Sequence, residues 1–154
     1  MIKDNSYNTR DVKREDSKRV WEIRNHPIAR QYSGSSEEIP FENHDPWFEK
    51  KYFVCEENYC FIMEDSNNYV IGYCRFDFDD ENDNYIISIA VDPDCQGKGL
   101  GHKLLSESLE KFNIEKDILA EISKINIASI KLFEKSNFKE HKEDEENYYL
   151  KYNF

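Results

Sequence analysis

Apolar and charged residues alternate at helical spacing in two stretches of the first fifty-odd positions, with a loop between them. Residues 14–24 form the first predicted helix, which ends before Pro27 because proline disfavours helical geometry in the preceding residue. Gly34-Ser35-Ser36 marks the loop, and 44–53 form a second helix begun near Asp45-Pro46. The pattern therefore predicts an N-terminal helical segment.

After this segment the apolar positions follow an extended pattern. Residues 60–64, 69–78 and 85–91 are rich in aromatic and β-branched side chains and are separated by Asn/Asp turns, which predicts three antiparallel strands. The same criteria then predict, in order, a helix from Lys98, a strand at 118–122, a helix at 127–136 and strands at 138–142 and 147–152. This order indicates a mixed α/β fold with a central sheet.

Three of the five glycines, Gly97, Gly99 and Gly101, fall between an apolar strand and an amphipathic helix. A glycine inside a helix costs roughly 1 kcal/mol relative to alanine, so three near one helix start are a poor choice for a purely structural turn. Bare main-chain amides, the positive end of the helix dipole and the flanking Lys98 and His102 suit an anion such as a phosphate. The alternative is a connection that only lets strand and helix pack.

The spacing excludes the two common nucleotide loops. His102 stands where the dinucleotide fingerprint needs its third glycine, and the Gly-Lys-Ser/Thr of a Walker loop is absent. The pattern Gln96-x-x-Gly99-x-Gly101 instead resembles the pyrophosphate loop of the GCN5-related N-acetyltransferases, the GNAT family. In that family the loop follows a strand ending in an apolar-Ala-Val-x-Pro run, which Ile89-Ala90-Val91-Asp92-Pro93 supplies.

A second motif lies downstream, from Asn126 to Phe138. It is similar to the family segment Asn-x-x-Ala/Ser-Ile-x-Leu-Tyr-Glu-Lys-x-Gly-Phe, and the two motifs stand in the family order. The resemblance covers roughly residues 60–140 well and the first fifty only loosely. It implies a single domain over residues 1–154, of α/β (α+β) class, with a mostly antiparallel sheet of six to seven strands flanked by about four helices.

The resemblance also implies an acyltransferase that takes its acetyl group from acetyl-CoA and uses no metal. The pyrophosphate is expected over residues 96–101, the pantetheine arm along the strand backbone and against Asn126, and the carbonyl oxygen at the Val91 amide, a kind of donor worth roughly 3 kcal/mol. The expected donor-binding residues are Ile89, Val91, Gln96, Gly97, Lys98, Gly99, Leu100, Gly101, His102, Asn126, Ser129 and Phe133.

Two residues depart from the family pattern. Phe133 occupies the position that often holds a tyrosine thought to protonate the leaving thiolate, and phenylalanine has no proton to give; Tyr73, Tyr85 or solvent are the replacements. Asn137 replaces a glycine, which matters less because asparagine tolerates a left-handed conformation at a helix end.

The sequence is least informative about which residue acts as the general base. Glu121, on the predicted strand before Asn126, is the leading candidate because a carboxylate near the acyl group can accept a proton from the amine. The competing interpretation is a carboxylate that faces solvent or pairs with a lysine. His26 and His44 are the alternatives from the N-terminal segment.

Arg24, Asn25 and Arg30 are the candidate acceptor-binding residues. Their surroundings resemble the N-terminal part of acetyltransferases acting on nucleotide-linked amino sugars, and of those acting on ribosomal protein N-termini. The arginines would then pair with a substrate phosphate, although surface solvation explains them equally well. A small amine such as a nucleotide-linked amino sugar is the expected acceptor. The alternatives are a protein N-terminal α-amine, or no acceptor at all in a module that senses acetyl-CoA.

Charge and composition narrow the partners. The net charge is −11, and residues 55–95 hold eleven acidic side chains and one basic one, which disfavours nucleic acid. The alternating Asp77, Asp79 and Glu81 lack the glycine and glutamate of a calcium loop, so we expect a solvated hairpin turn.

Four cysteines without metal-site spacing predict free thiols. No apolar run is long enough for a membrane helix, and Met1–Ser6 lacks a leader's apolar core, so we expect a cytoplasmic protein, with a homodimer left open.

Overall fold

The computed structural model describes residues 6–32 and 37–154. The predicted loop at 34–36 and most of the N-terminal stretch inspected for a leader lie outside these residues. One seven-stranded sheet, in the order β1-β2-β3-β4-β5-β7-β6, organises the described chain. Its strands are β1 Tyr7–Asp11, β2 Tyr59–Asp65, β3 Val70–Asp79, β4 Asn84–Val91, β5 Ile118–Ser123, β6 Phe138–Glu143 and β7 Asn147–Tyr152.

Within the described ranges five α-helices flank the sheet, namely α1 Ser17–Asn25, α2 Pro27–Gln31, α3 Phe41–Glu49, α4 Leu100–Phe112 and α5 Ile127–Lys135. Short 3₁₀ turns precede α1 and α4, and a π-helical turn, Lys50–Val54, follows α3. The predicted α/β class, the sheet and the helices around it are thereby confirmed. Glu81 lies in the β3–β4 hairpin turn, as predicted, whereas Asp77 and Asp79 lie on β3 itself.

β4 and β5 are the one parallel pair of the sheet, and they separate soon after they meet. Their pairing covers Tyr85 opposite Ile118 and Ile86 opposite Leu119. Every other neighbouring pair in the described sheet is antiparallel. The second half of β4 therefore has a strand partner on one side, β3, and a gap on the side of β5.

Alternation along the strands divides the core between the two faces of the sheet. On one face, Phe76 and Ile87 pack with Leu104 and Phe112 of α4. On the other face, Tyr73 packs with residues from α1, α3 and the π turn, namely Val20, Ile23, Phe48 and Tyr52. From Tyr73 to Phe76, side chains at odd and even positions of β3 thus belong to different layers, so the odd positions reach the second face.

Three elements differ from the prediction. β1 was missed because it is a five-residue edge strand whose polar residues carry little periodic signal. α2 was also missed, since the proline that ends α1 then stands at the first position of a new short helix. The predicted start of the second helix at Asp45-Pro46 is wrong. α3 begins at Phe41, whose ring packs edge-on against Trp21 with centroids 5.2 Å apart, and Pro46 lies inside it.

None of the helices in the described ranges is long and apolar enough to cross a membrane. The four cysteines are free thiols, as expected, and Cys60 and Cys74 are buried in the core.

Candidate active site

The connection from β4 to α4 exposes its main chain. Gly97 and Gly99 have φ angles of 88° and 72°, a left-handed geometry that favours glycine. A Cβ atom added at either residue would meet nothing within 4 Å. Gly99 is the N-cap of α4 and offers no side chain to the first amides of the helix, which have no carbonyl partner within it. The loop therefore presents uncovered N–H groups at the positive end of a helix dipole.

These amides open into a cavity of about 1120 Å³. One wall is the separating half of β4 and β5, a second is the start of α4 and α5, and a third is formed by α1, α2 and residues 37–40. Of the residues proposed from the sequence, those that line it are Arg24, Arg30, Ile89, Val91, Gln96, Gly97, Gly99, Leu100, Gly101, His102, Glu121, Asn126, Ser129 and Phe133. Lys98 and Asn25 do not line it.

The backbone of β4 supplies further polar groups on the cavity side. Val91 lies opposite Gly72, and the next pair is hydrogen-bonded, since the Asp92 amide donates to the Ile71 carbonyl at 2.7 Å. Because bonded and non-bonded pairs alternate in an antiparallel ladder, the amides of Ile89 and Val91 point away from β3 and into the gap left by β5. The Val91 carbonyl accepts a hydrogen bond from the Gln96 side chain at 3.4 Å, which ties the loop to the strand end.

Asn126 and Phe133 mark the two ends of the wall formed by α5. Asn126 caps the helix, with its Oδ1 accepting from the Ser129 amide at 3.2 Å. Phe133 is 3% exposed and packs edge-on against Phe138. The cavity surface at Phe133 is therefore apolar and offers no proton. Asn137, after α5, adopts φ of 72°, the left-handed geometry expected of it.

Glu121 lies at the cavity wall on β5 and is exposed. It stands directly opposite Tyr149 of β7, whose hydroxyl oxygen is 2.9 Å from Glu121 Oε1 and 2.9 Å from Asp144 Oδ2. A hydroxyl has one hydrogen, so Tyr149 donates to one of the two carboxylates at a time. The carboxylates raise the pKa of Tyr149, with Asp144 contributing most. Tyr149 therefore stays a neutral donor that orients Glu121.

Neither alternative base from the N-terminal segment lines the cavity. His26 caps α2, where its Nδ1 accepts from the Ile28 amide at 3.2 Å. His44 is 1% exposed, and burial together with the nearby Arg24 lowers its pKa to about 4. A neutral His44 accepts a hydrogen bond at Nδ1 from Arg24 Nη1 at 3.0 Å. Both histidines have contacts that support the structure.

The two tyrosines considered as proton donors occupy different places. Tyr73 is buried on the second face of the sheet and lines the cavity, and burial raises its pKa. Tyr85 packs against Phe112 in the α4 layer, and its hydroxyl donates to the Glu57 carbonyl at 2.9 Å. Tyr85 is not a cavity residue, which leaves Tyr73 and solvent.

Asn25 has a structural contact instead of the expected acceptor contact. Its side-chain amide donates to the Ile39 carbonyl at 2.8 Å, and its oxygen accepts from the Ile39 amide at 2.8 Å. This double hydrogen bond holds the 37–40 segment against α1. Arg30 lines the cavity, with Nε donating to the Asn25 carbonyl at 3.0 Å.

Sequence reasoning missed Arg75 and Trp47. Arg75, on β3, lines the cavity although its side chain is only 15% exposed. Its guanidinium and that of Arg24 lie 5.3 Å and 4.4 Å from the ring centroid of Trp47. One signal was available, because Arg75 is the single basic residue of the acidic stretch 55–95 and stands in an otherwise apolar strand.

A separate polar group is formed by His26, Asp92 and Asp94. The side-chain atoms of these residues that could bind a metal ion lie within 4.8 Å of one another. Asp92 accepts from Arg19 Nη2 at 2.8 Å and from the Asp94 amide at 3.0 Å. Arg19 also donates to the Val70 carbonyl at 2.9 Å. The carboxylate thus already ties α1 to the end of β4.

Comparison with known proteins identifies the class. Residues 20–138 match the model of the acetyltransferase (GNAT) family. The chain therefore belongs to the GNAT family, which confirms the resemblance read from its two motifs. It also confirms, at the level of the family, the acyltransferase class and acetyl-CoA as the acetyl donor.

Three relatives illustrate the match. The chain is 30% identical over 109 residues to the L-amino acid N-acyltransferase of Escherichia coli, covering 66% of this chain and 60% of that protein. It is 32% identical over 133 residues to a Bacillus subtilis protein provisionally named a phosphinothricin acetyltransferase, covering 81% and 79%. A provisionally named acetyltransferase from Salmonella typhimurium, solved with its cofactor acetyl-CoA, superposes with a TM-score of 0.78 at 23% identity, over 96% and 93% of the chains.

Proposed function

We propose that this protein is an acetyl-CoA-dependent N-acetyltransferase that transfers the acetyl group directly to the primary amine of a small molecule. One observation carries the proposal. The uncovered amides at the start of α4 and the unpaired backbone of β4 open into the same cavity, which also has room for an acceptor. The amides that would bind the phosphates, the β4 backbone that would bind the pantetheine arm and the space for the acceptor therefore follow one another along one wall of the cavity.

The donor would be held mainly by backbone. The diphosphate would accept hydrogen bonds from the amides of 96–101, favoured by the helix dipole. The pantetheine arm would lie along the outward-facing backbone of Ile89 and Val91 much as an added strand does, with Asn126 and Ser129 on the opposite side. The Val91 amide would stabilise the negative charge that develops on the thioester oxygen. Phe133 would contribute apolar surface.

Proton transfer would fall to side chains on the sheet. An alkylammonium must lose a proton before it attacks, and Glu121 at the cavity wall, oriented by Tyr149, would accept it. The neutral amine nitrogen would then attack the acetyl carbon, and the carbon–sulfur bond would break as the nitrogen loses its second proton to solvent. The departing thiolate would take a proton from Tyr73 or from solvent, and a Tyr73 that had given its proton would regain one from solvent.

The names of the relatives favour a small acceptor, since both an amino acid and phosphinothricin are small primary amines. Neither these names nor the cavity points to a nucleotide-linked amino sugar, which stays a prediction. A protein N-terminal α-amine and an acetyl-CoA sensor are the competing functions. The apolar Phe133 at the usual proton-donor position is the observation that favours the sensor.

Release of free thiol from acetyl-CoA, measured across a panel of amines, tests the proposal. We expect steady turnover with at least one small primary amine. Activity on short peptides alone would support the N-terminal acceptor. Calorimetric binding of acetyl-CoA without thiol release across amino acids, polyamines, amino-sugar nucleotides and peptides would contradict catalysis and support the sensor.

Substitution Glu121→Gln tests the proposed base. Loss of a general base typically costs 10²–10⁴-fold, so we expect kcat/KM to fall at least ~100-fold near neutral pH. The deficit should shrink at alkaline pH, where more of the amine is already neutral. The matched control is Glu134→Gln, an exposed glutamate of α5 that does not line the cavity. An unchanged pH–rate profile in Glu121→Gln would show that another group accepts the proton.

A further inference from the structure

A cluster of cations lies at the acceptor end of the cavity, on the face of the sheet opposite α4. Arg24 of α1, Lys51 of the π turn and Arg75 of β3 surround the indole of Trp47, at 4.4, 5.7 and 5.3 Å from its ring centroid. The cluster stands out in a chain whose net charge is −11. Cation–π attraction offsets part of the repulsion among these charges but does not neutralise them.

Among the described residues, one carboxylate lies within ion-pair distance of any of these three cations. This carboxylate is Asp77, 3.4 Å from Arg75 and 3.7 Å from Lys51. Asp77 also accepts a hydrogen bond from the Tyr52 hydroxyl at 2.8 Å, so its charge is shared among three donors. It does not line the cavity, whereas both arginines do. Within the described ranges no carboxylate lies within ion-pair distance of Arg24, whose Nη1 contacts the neutral His44.

The two arginines also retain unused hydrogen-bonding capacity. Arg75 Nε is buried without a hydrogen-bond partner among the described residues, an arrangement that costs free energy unless a ligand completes it. Burial and the neighbouring Arg75 lower the pKa of Arg24, which is the expected sign for a guanidinium held beside another cation. An anion entering the cavity would satisfy both groups.

We propose that Arg24 and Arg75 bind a carboxylate on the acceptor, so that the substrate is a primary amine that also carries a carboxylate, as a free amino acid does. This inference rests on the acetyltransferase activity proposed above and specifies its acceptor. The planar guanidinium forks suit a carboxylate, which has two acceptor oxygens. The same cations would repel a polyamine, whose charges are all positive.

The position of the cluster fits this acceptor. Tyr73 and Arg75 project from the second face of β3, and their partners across the ladder are Ala90 and Ser88 of β4. Glu121 lies on the other side of the gap, on β5. The ammonium group of a bound amino acid would thus face Glu121 on one side of the gap. Its carboxylate would face Arg24 and Arg75 on the other side.

The test compares amino acids with the amines that lack the carboxylate: L-phenylalanine with phenethylamine, L-leucine with isoamylamine, and L-histidine with histamine. Because the α-carboxyl group also lowers the pKa of the neighbouring amine, kcat/KM is expressed per concentration of neutral amine. We expect the wild-type protein to prefer at least one amino acid at least ~10-fold in kcat/KM, which corresponds to ~1.4 kcal/mol, because the carboxylate would accept charge-assisted hydrogen bonds from the two guanidinium groups. Arg24→Met should remove that preference, mainly by raising KM for the amino acid, so that kcat/KM falls at least ~10-fold more for the amino acid than for the matching amine. Arg24→Lys should restore it in part.

The matched control is Arg14→Met, which removes a charge from an arginine that is 68% exposed and paired with Glu49 at the surface. It should leave both acceptors unchanged. If amines without a carboxylate turn over as well as the amino acids, or if Arg24→Met weakens both alike, the carboxylate subsite is wrong while acetyl transfer stands.

Calorimetry of the same amino acids against the protein–CoA complex separates the two proposals. Binding that Arg24→Met abolishes, without thiol release by the wild type, supports the carboxylate subsite and contradicts catalysis. If the amino acids show no binding and no thiol is released, both proposals are overturned.

Discussion

Gly101→Asp should abolish acetyl-CoA binding without unfolding the protein. Gly101 lies in the first turn of α4 and lines the cavity. A Cβ atom there would meet its nearest neighbour, Leu132 Cδ2, at 3.5 Å, an ordinary contact. An aspartate in a first helical turn stabilises the helix by ~0.3–1 kcal/mol, but its charge would face the bound diphosphate. We expect the Kd for acetyl-CoA to rise at least ~100-fold, which corresponds to ~2.7 kcal/mol, with the melting temperature unchanged or raised.

The control for this substitution is Ser106→Asp, on the same helix. Ser106 is exposed and does not line the cavity, so the same added charge should leave binding nearly unchanged. Calorimetry with acetyl-CoA and thermal unfolding of the three proteins complete the comparison. Equal affinity in wild type and Gly101→Asp would mean that the start of α4 does not hold the phosphates.

Phe76→Ala should have the largest effect on stability. Phe76 is fully buried on β3, stacked on Phe112 of α4 with centroids 4.1 Å apart and planes 6° apart, and it meets Phe61 edge-on at 5.9 Å. Truncating a buried phenylalanine to alanine typically lowers the free energy of unfolding by ~3–5 kcal/mol. Because α4 packs on the sheet through this stack, acetyl-CoA binding should weaken as well.

Urea denaturation of Phe76→Ala, with Phe154→Ala as control, measures this effect. Phe154 is 67% exposed at the chain end, so its truncation should change the free energy of unfolding by less than ~0.5 kcal/mol. A loss below ~1 kcal/mol in Phe76→Ala would contradict the stacked core as described.

The geometry of the proposed donor site was predictable because its determinants are local. A strand end, a glycine loop and a helix start follow one another from Ile89 to Gly101, and the structure places them as the spacing predicts. The left-handed Gly97 and Gly99 show why these positions favour glycine. Lys98 is the exception, since it was expected at the donor and does not line the cavity.

The proposed acceptor contacts were less predictable because their residues meet only in the folded chain. Arg24, Trp47 and Arg75 come from α1, α3 and β3, and no local pattern links them. Arg75 reaches the second face only because β3 alternates about the buried Phe76, and its register against β4 is a property of the whole sheet. Asn25, whose neighbourhood suggested a substrate contact, stays a prediction as an acceptor-binding residue, and in the structure its amide holds Ile39.

The helices and strands also differed in how far the sequence predicted them, according to whether their signal is local. Long apolar stretches such as β3 and β4 were recognisable from composition, whereas β1 and α2 are five residues each and depend on tertiary contacts. β1 forms because Tyr7–Asp11 pairs along the whole of its length with β2. Such short elements lack the periodicity on which sequence interpretation depends.

A crystal structure of the protein with acetyl-CoA tests the central claim most directly. The account predicts that the diphosphate oxygens lie within hydrogen-bonding distance of the main-chain amides between Gln96 and Gly101, with the pantetheine arm beside Ile89 and Val91. A diphosphate bound elsewhere on the protein, with the amides of this loop still facing solvent, would contradict it.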